Sequence, residues 1–185
     1  MGASVLNMED LPHYTYDDYK QWEGKWEIIC GIPYSLGPAP AIKHQDISLE
    51  IAAQLREKLK TCGGDLCKVH LPIDWKIEED TVVQPDVMVV CGENRDENIL
   101  TITPTLVFEI ISPSSKHRDR VLKYGLYKEA GVKYYCLIDP MVKSVEVFLL
   151  RGTDYQEEKG FEEGKIPFQL GECVINLDVS TLFDI

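Results

Sequence analysis

Hydrophobic positions recur along the chain with two different spacings, and each spacing predicts its own kind of element. Between about residues 41 and 60, apolar residues return every three or four positions, which is typical of a helix with one buried face. From 69 to 77, apolar and polar residues alternate, which predicts one half-buried strand. A short helix over 16–22 and a strand over 26–30 are expected before them.

Two later segments are almost continuously apolar, which favours central strands covered on both faces. They run from 82 to 91 and from 106 to 112, and each contains one carboxylate, Asp86 and Glu109 respectively. A helix is predicted from 115 to 130, then strands at 134–138 and 144–150, and a short helix near 179–183. This order predicts an α/β or α+β fold with a mixed sheet, in one domain over residues 1–185.

Composition and length exclude several classes of protein. The chain has 185 residues, 44% of them hydrophobic, which is enough for one packed core and argues against disorder. No apolar run approaches the roughly 18 residues of a membrane span, so no membrane association is expected. The first 18 residues lack the basic and apolar regions of a signal peptide. The six cysteines follow no metal-ligand spacing, so we expect reduced, mostly buried thiols in a cytoplasmic protein.

The charge is strongly negative overall but positive in one segment. A formal charge of −12 weighs against a generic nucleic-acid binder, which would carry a basic surface. Residues 115–133 nevertheless hold six basic side chains against two acidic ones. We predict that Lys116, Arg118, Arg120 and Lys123 in this segment are the main phosphate contacts of the protein. A basic stripe exposed to solvent is the more common explanation of such a run.

The two carboxylates in the apolar strands are candidate metal ligands. A carboxylate inside a central strand is costly unless it is paired, hydrogen-bonded or bound to a metal. If the two strands are neighbours, Asp86 and Glu109 lie on one face and suit Mg²⁺ or Mn²⁺. Each residue also has a structural explanation, Asp86 as a strand start after Pro85 and Glu109 as a buried partner of an arginine or an amide. Because the two carboxylates occur together in successive apolar segments, a metal site is favoured over these separate structural explanations.

The basic helix supplies a candidate cation for that site. Its spacing places Arg120, Lys123 and Tyr127 roughly on one face, with Val121 expected to face the core. A lysine beside two carboxylates offsets their charge and stabilises phosphate, and we expect Lys123 Nζ within about 4–6 Å of a Glu109 oxygen.

Two earlier residues allow more than one interpretation. Glu27 is either a third inward carboxylate or part of the polar face of an edge strand. His44 lies on the apolar stripe of the long helix, where a histidine is more often a core residue than a ligand.

Together these motifs resemble the Uma-two (Uma2) family of restriction-endonuclease-like proteins in the PD-(D/E)XK nuclease superfamily. The resemblance spans about residues 19–150 and leaves 151–185 as a C-terminal extension. It rests on Glu27, on Pro85 and Asp86, on the run EIISPSS that begins at Glu109, on Arg118 and Arg120 with Lys123 and Tyr127, and on the run YKEAGVKYYCLIDP.

The resemblance implies a mixed sheet flanked by helices and divalent-metal-dependent hydrolysis of phosphodiester bonds. It implies that Asp86 and Glu109 bind Mg²⁺ or Mn²⁺ and that Glu27 is a further acid of the site. The lysine of the superfamily normally stands two residues after the glutamate, where this chain has Ile111. Lys123 is therefore the matching candidate, with His44 and Tyr127 as auxiliary residues.

A DNA endonuclease is the leading hypothesis, and the need to cut two strands favours a homodimer. A catalytically inactive nuclease-like module that binds DNA or a protein partner is the main alternative. A metal-dependent hydrolase of a small phosphodiester is a third, because the acidic composition fits it slightly better than duplex binding.

Overall fold

The computed structural model describes residues 11–37, 39–62, 66–158 and 160–184. In chain order the elements are α1 (Tyr16–Tyr19), β1 (Trp26–Ile29), β2 (Ile32–Ser35), α2 (Ile42–Thr61), β3 (Cys67–His70), β4 (Trp75–Glu78), β5 (Thr81–Val83), β6 (Val87–Cys91), β7 (Leu106–Ile110), a π-helical turn (Arg118–Lys123), α3 (Tyr124–Glu129), β8 (Tyr134–Asp139), β9 (Ser144–Arg151), β10 (Asp154–Glu157), β11 (Lys165–Leu170) and β12 (Cys173–Asp178).

A six-stranded sheet in the order β10-β9-β8-β7-β6-β3 is the centre of the fold. Its neighbouring strands are antiparallel except β7 and β8, which run parallel, so the sheet is mixed. A smaller antiparallel sheet, β2-β1-β5-β4, and the hairpin β11-β12 complete the described strands. The predicted α+β class is confirmed.

Apolar residues on both faces of the six-stranded sheet explain why β6 and β7 read as continuous hydrophobic runs. On one face, α2 and the hairpin β11-β12 pack against alternate residues of β6 to β9. On the other face, Trp75, Val83, Tyr127 and Tyr135 join the smaller sheet and α3 to the core. Glu109 belongs to this second face, because it lies two residues from Val107, which packs there.

The long helix and the adjacent apolar strands agree with the sequence predictions. α2 covers Ile42–Thr61, and its predicted face, which includes Ile47, Ile51 and Leu55, is buried. β6 and β7 are antiparallel neighbours, with Val87 opposite Phe108. No helix within the described ranges is both long and apolar enough to cross a membrane.

Two predicted strands are each broken into two, and proline explains both breaks. The alternating run 69–77 divides into β3 and β4, with Pro72 between them. The apolar run 82–91 divides into β5 and β6 around Pro85, which has no N–H for a central ladder. Asp86 therefore precedes β6, and the prediction that it lies inside a central strand is wrong.

The C-terminal region also differs from its prediction. The hairpin β11-β12 buries every second residue of β11 against the core, a pattern the sequence interpretation did not recognise. Residues 179–183 form turns, so the short final helix expected there is wrong. The N-terminal segment on which the signal-peptide expectation rests lies in part, as residues 1–10, outside the described residues.

Four of the six cysteines form disulfides, so the expectation of reduced thiols is wrong for them. Cys62 at the end of α2 is bonded to Cys173 at the start of β12, and Cys67 is bonded to Cys91 across β3 and β6. Cys30 is free and exposed, and Cys136 is free and buried. The first bond joins the end of α2 to the hairpin that packs on it and has a sequence separation of 111 residues.

We expect the Cys62–Cys173 bond to stabilise the fold substantially, because it closes a long loop and restricts the unfolded chain. The double variant Cys62→Ser/Cys173→Ser should lower the free energy of unfolding in urea by about 2–4 kcal/mol. The difference from wild type should disappear when both proteins are reduced. Rapid reaction of all six cysteines with a thiol reagent in the native, unreduced protein would contradict the assignment.

Candidate active site

Asp86 and Glu109 lie side by side at one end of the six-stranded sheet. Val87 pairs with Phe108, so the preceding Asp86 lies next to Glu109 where the ladder between β6 and β7 ends. Asp86 Oδ2 accepts a hydrogen bond of 2.7 Å from the backbone N–H of Ile110 and lies 3.1 Å from His44 Nε2. Asp86 directly precedes β6, and Glu109 lies near the end of the neighbouring strand β7. The two carboxylates are therefore adjacent, as expected.

The helix after β7 brings a lysine into the interior through a π-helical turn. Asp119 and Lys123, at the beginning and end of this turn, are both buried. The wider i→i+5 bonding of a π turn shifts the phase of the residues that follow, and such turns are frequent at functional sites. Val121 lies two residues from both Asp119 and Lys123, which is about 200° around a helix. It is exposed, and the prediction that it faces the core is wrong.

Lys123 is surrounded by carboxylates. Its Nζ lies 2.7 Å from Glu27 Oε1, 2.9 Å from Glu109 Oε1 and 4.0 Å from Asp119 Oδ1, and only 2% of the side chain is exposed. The distance of 2.9 Å between Lys123 Nζ and Glu109 Oε1 is shorter than the predicted range of about 4–6 Å. Because a buried charge is tolerated only when it is paired, these four side chains form one coupled ion cluster.

Glu27 binds this lysine and is completely buried. Its Oε1 also accepts a hydrogen bond of 2.9 Å from the backbone N–H of Gln84, and its Oε2 lies 3.4 Å from Arg118 Nε. Of the two interpretations left open, the inward carboxylate is correct, since β1 lies between β2 and β5 in its sheet. With both oxygens facing cations or an amide, Glu27 is suited to holding Lys123 in place.

Tyr127 completes the contacts of Glu109. Its hydroxyl donates a hydrogen bond of 2.7 Å to Glu109 Oε1, and its ring packs against Trp75 and Tyr135. Burial raises the pKa of Tyr127 well above its ordinary value, and the neighbouring Glu109 carboxylate raises it further. The phenol therefore stays protonated and acts as a fixed donor.

Burial and mutual repulsion set the ionisation of the cluster. Burial raises the pKa of Glu109 well above its ordinary value, and the lowering effect of Lys123 does not cancel it. Burial also raises the pKa of Asp119, again against the opposing effect of Lys123. For Lys123 burial acts in the opposite direction, but the carboxylates of Glu109, Glu27 and Asp119 outweigh it and raise its pKa.

His44 bridges α2 and the site. Its imidazole is half-buried and faces Asp86, and its backbone carbonyl accepts a hydrogen bond from Ser48. Burial lowers the pKa of His44, but the adjacent Asp86 carboxylate outweighs it, and the net effect is a raised pKa. The residue is thus part of the apolar stripe and a partner of Asp86 at once.

The described residues fit a divalent ion held by two carboxylates. They contain no group of three or more His, Cys, Asp or Glu side chains arranged to hold a metal. Mg²⁺, however, is usually bound by one or two carboxylates and keeps several waters. Asp86 Oδ1 and Glu109 Oε2 accept no hydrogen bond from any described residue, so each carboxylate has one oxygen for such an ion.

Of the four predicted phosphate contacts, Lys123 is buried among carboxylates, so the prediction that it is a main phosphate contact is wrong. The other three have different surroundings. Lys116 is exposed. Arg118 faces Glu27, and Arg120 forms a two-pronged ion pair with Glu146 on β9. The two arginines are therefore partly neutralised, and the role of all three in nucleic-acid binding stays a prediction.

Sequence reasoning missed Asp119 as a member of the site. The sequence pattern showed this residue only as one of the two acidic side chains in the basic segment 115–133. Its spacing of four residues from Lys123 was the available signal, since side chains at that spacing are neighbours on a helix. Nothing in the local pattern predicted the π turn itself.

Comparison with known proteins assigns the chain to a family. The family model Uma2, described as "Putative restriction endonuclease", matches residues 16–174. The uncharacterized protein slr1290 of Synechocystis sp. is 31% identical over 153 residues, which cover 78% of this chain and 77% of that protein. A second uncharacterized Synechocystis protein, sll1609, is 33% identical over 76 residues, covering 39% of this chain and 43% of that protein.

A solved structure has the same fold. The crystal structure of "a putative nuclease belonging to DUF820" from Anabaena variabilis matches with a TM-score of 0.74 and 22% sequence identity. The match covers 92% of this chain and 97% of that one, so the restriction-endonuclease-like fold is confirmed. From the family match and the relative of 31% identity, we conclude that the chain belongs to the Uma2 family.

Proposed function

We propose that this protein is an endonuclease that hydrolyses phosphodiester bonds of DNA with the aid of Mg²⁺ or Mn²⁺. The observation that carries the proposal is the contact of 2.9 Å between Lys123 and Glu109, with Asp86 beside them at the end of the sheet. A cation and two carboxylates in one buried cluster are the groups that metal-assisted phosphodiester hydrolysis requires.

The charge of the cluster supports a divalent ion. Four carboxylates, those of Asp86, Glu109, Glu27 and Asp119, lie with two fixed cations, Lys123 and Arg118. If all of them are ionised and His44 is neutral, two negative charges are in excess. An ion such as Mg²⁺ balances this excess. Without one, burial and the neighbouring carboxylates together raise the pKa of Glu109.

Each residue of the cluster then has a chemical role. Asp86 and Glu109 would hold the ion, which when bound polarises the phosphate and acidifies a water. Lys123 offsets part of the negative charge of Glu27 and Glu109, which lowers the repulsion that an approaching phosphate meets. Tyr127 and Lys123 both hold Oε1 of Glu109, which leaves Oε2 directed elsewhere.

Two further elements of the proposal concern assembly and activity. A homodimer would bring two such sites to a duplex, and we propose it on that ground. An inactive nuclease-like module is the competing function, because Glu109 Oε1 already has two partners within the protein. Cleavage assays distinguish an active endonuclease from an inactive nuclease-like module.

We expect Asp86→Asn and Glu109→Gln each to reduce cleavage of duplex DNA in Mg²⁺ or Mn²⁺ by about 10²–10⁴-fold, because a bound ion supplies several kcal/mol of transition-state stabilisation. Glu57→Gln, which changes an exposed carboxylate on α2, is the matched control and should cut like wild type. If purified wild-type protein binds DNA but cuts none with either ion, the inactive module is correct.

The burial of Lys123 changes what its removal should do. If Lys123 only stabilised the phosphate, Lys123→Ala would slow cleavage and leave the fold largely intact. Because Lys123 balances Glu27 and Glu109 in the interior, Lys123→Met should instead lower the free energy of unfolding by about 3–5 kcal/mol near neutral pH. The loss should shrink as the pH falls, since the unbalanced carboxylates then take up protons. Urea unfolding at two pH values measures it.

The double variant Lys123→Met/Glu27→Gln is the control for this prediction. It removes the lysine and one unbalanced carboxylate together, so it should recover part of the lost stability without restoring cleavage. A single variant Lys123→Met as stable as wild type at neutral pH would contradict the buried ion cluster.

Metal binding should depend on pH through Glu109. Its raised pKa favours the protonated carboxyl, so this group contributes stability at low pH that is lost as the pH rises through the raised value. An ion needs the ionised form and should bind more tightly as the pH increases. The rise in melting temperature caused by Mn²⁺ should therefore grow from about pH 5 to about pH 8.

Glu109→Gln cannot ionise and serves as the reference for this titration. We expect it to show a small rise in melting temperature that changes little with pH. Equal stabilisation of the wild type by Mn²⁺ at both ends of the range would refute the participation of Glu109 in metal binding.

A further inference from the structure

The first turn of α2 and the turn between β8 and β9 lie at the same end of the six-stranded sheet as Asp86 and Glu109. His44 of α2 contacts Asp86, and the neighbouring Lys43 donates a hydrogen bond of 2.9 Å to the carbonyl of Pro140. Glu109 is in parallel register with Leu137, so β8 ends beside β7. Both turns therefore lie near Asp86, whose side chain is 18% exposed.

These two turns expose apolar side chains that are normally buried. Ile42 is 80% exposed, Met141 is 86% exposed and Val142 is 65% exposed. Single exposed apolar residues are common, but several on adjoining segments next to a functional site indicate a contact surface. The turn that carries two of them is held in shape, because Asp139 Oδ1 accepts a hydrogen bond of 3.0 Å from the N–H of Met141.

The same end of the molecule carries unpaired positive charge. Lys43, Lys116 and Lys143 are exposed, and none of them forms an ion pair with a residue in the described ranges. Of the carboxylates on the same segments, Glu146 is paired with Arg120 and Asp139 is buried, which leaves Asp46 near the start of α2 against the three lysines. The surface is therefore locally cationic in a chain of net charge −12.

We propose that this surface is the docking surface for duplex DNA, with the lysines on phosphates and the apolar pair of the β8–β9 turn entering a groove. We call it the site rim, and it consists of Ile42, Lys43, Lys116, Met141, Val142 and Lys143. This inference rests on the proposed function, because it takes the substrate to be DNA. Small apolar side chains on a rigid turn are used by proteins that wedge into the minor groove.

A second copy of the chain fits the site rim less well. In a two-fold dimer the same patch faces itself, so the three lysines would approach the lysines of the partner. Such like-charge contacts cost free energy, whereas the phosphate backbone supplies opposite charge.

The lysines and the apolar pair should affect DNA binding in different ways. Binding to a duplex is measured by fluorescence anisotropy in EDTA at several salt concentrations, so that nothing is cut. Lys43→Ala/Lys143→Ala should weaken binding and make the slope of log K against log salt shallower by about two, one for each lost phosphate contact. Met141→Ala/Val142→Ala should weaken binding about tenfold without changing the slope.

Matched controls are available at the opposite end of the molecule. Lys58→Ala/Lys60→Ala removes two charges from the far end of α2, and Leu66→Ala/Val174→Ala removes two exposed apolar side chains near the disulfide between Cys62 and Cys173. Both control proteins should bind DNA with the affinity and the salt dependence of wild type.

The outcomes separate this proposal from the proposed function. Unchanged affinity in both site-rim variants, or no duplex binding by wild type, would overturn the docking surface even if the protein cuts DNA. Weakened binding in those variants would support it even if no cleavage is found. If Met141→Ala/Val142→Ala instead converts a dimer to monomers, by light scattering, and leaves DNA binding unchanged, the site rim is a protein interface and the proposal is wrong.

Discussion

The buried ion cluster around Lys123 is the constraint on which the rest of this structure depends. A lysine with 2% exposure is tolerable only because Glu27 and Glu109 lie within 2.9 Å of its ammonium group. These carboxylates come from β1 in the smaller sheet and β7 in the larger one, and the lysine comes from the helix between β7 and β8. One set of ion pairs therefore connects three separate parts of the chain, and removing the lysine leaves buried carboxylate charge without compensation.

The cluster is unfavourable for stability and valuable for chemistry. Buried ion pairs seldom stabilise a fold more than apolar packing would, so an excess of carboxylates in the interior needs an explanation other than stability. Strongly perturbed ionisation is concentrated at functional sites, and here burial raises the pKa of Glu109, Asp119 and Tyr127 together. Apolar and aromatic packing around Trp75 supplies the rigidity that keeps these groups in place.

The sequence predicted elements with a strong periodicity and missed those decided by tertiary contacts. The apolar face of α2 and the pairing of β6 with β7 followed from hydrophobic spacing. The division of one apolar run into β5 and β6 did not, because hydrophobicity alone cannot show which sheet a strand joins. Pro85 was the local signal, since it cannot donate to a central ladder. The alternation in β11 was present too, but only its packing against the core makes it a strand.

The location of the lysine shows why the site itself was only partly predictable. A lysine two residues after Glu109 would be fixed by the period of a strand, but that position is Ile111, which is buried in the second apolar cluster. The cation must then come from a helix, and there its direction depends on the phase of the helical turn. α-Helical spacing puts Asp119, Lys123 and Tyr127, which stand four residues apart, on one face and turns Val121 away from it, and in the structure the first three are buried and Val121 is exposed. That face can be buried only where carboxylates meet the lysine, because an inward lysine without Glu27 and Glu109 would carry an uncompensated charge. The spacing of the helix thus groups these residues, but the partners that allow Lys123 to be buried come from β1 and β7, which the sequence pattern of the helix does not show.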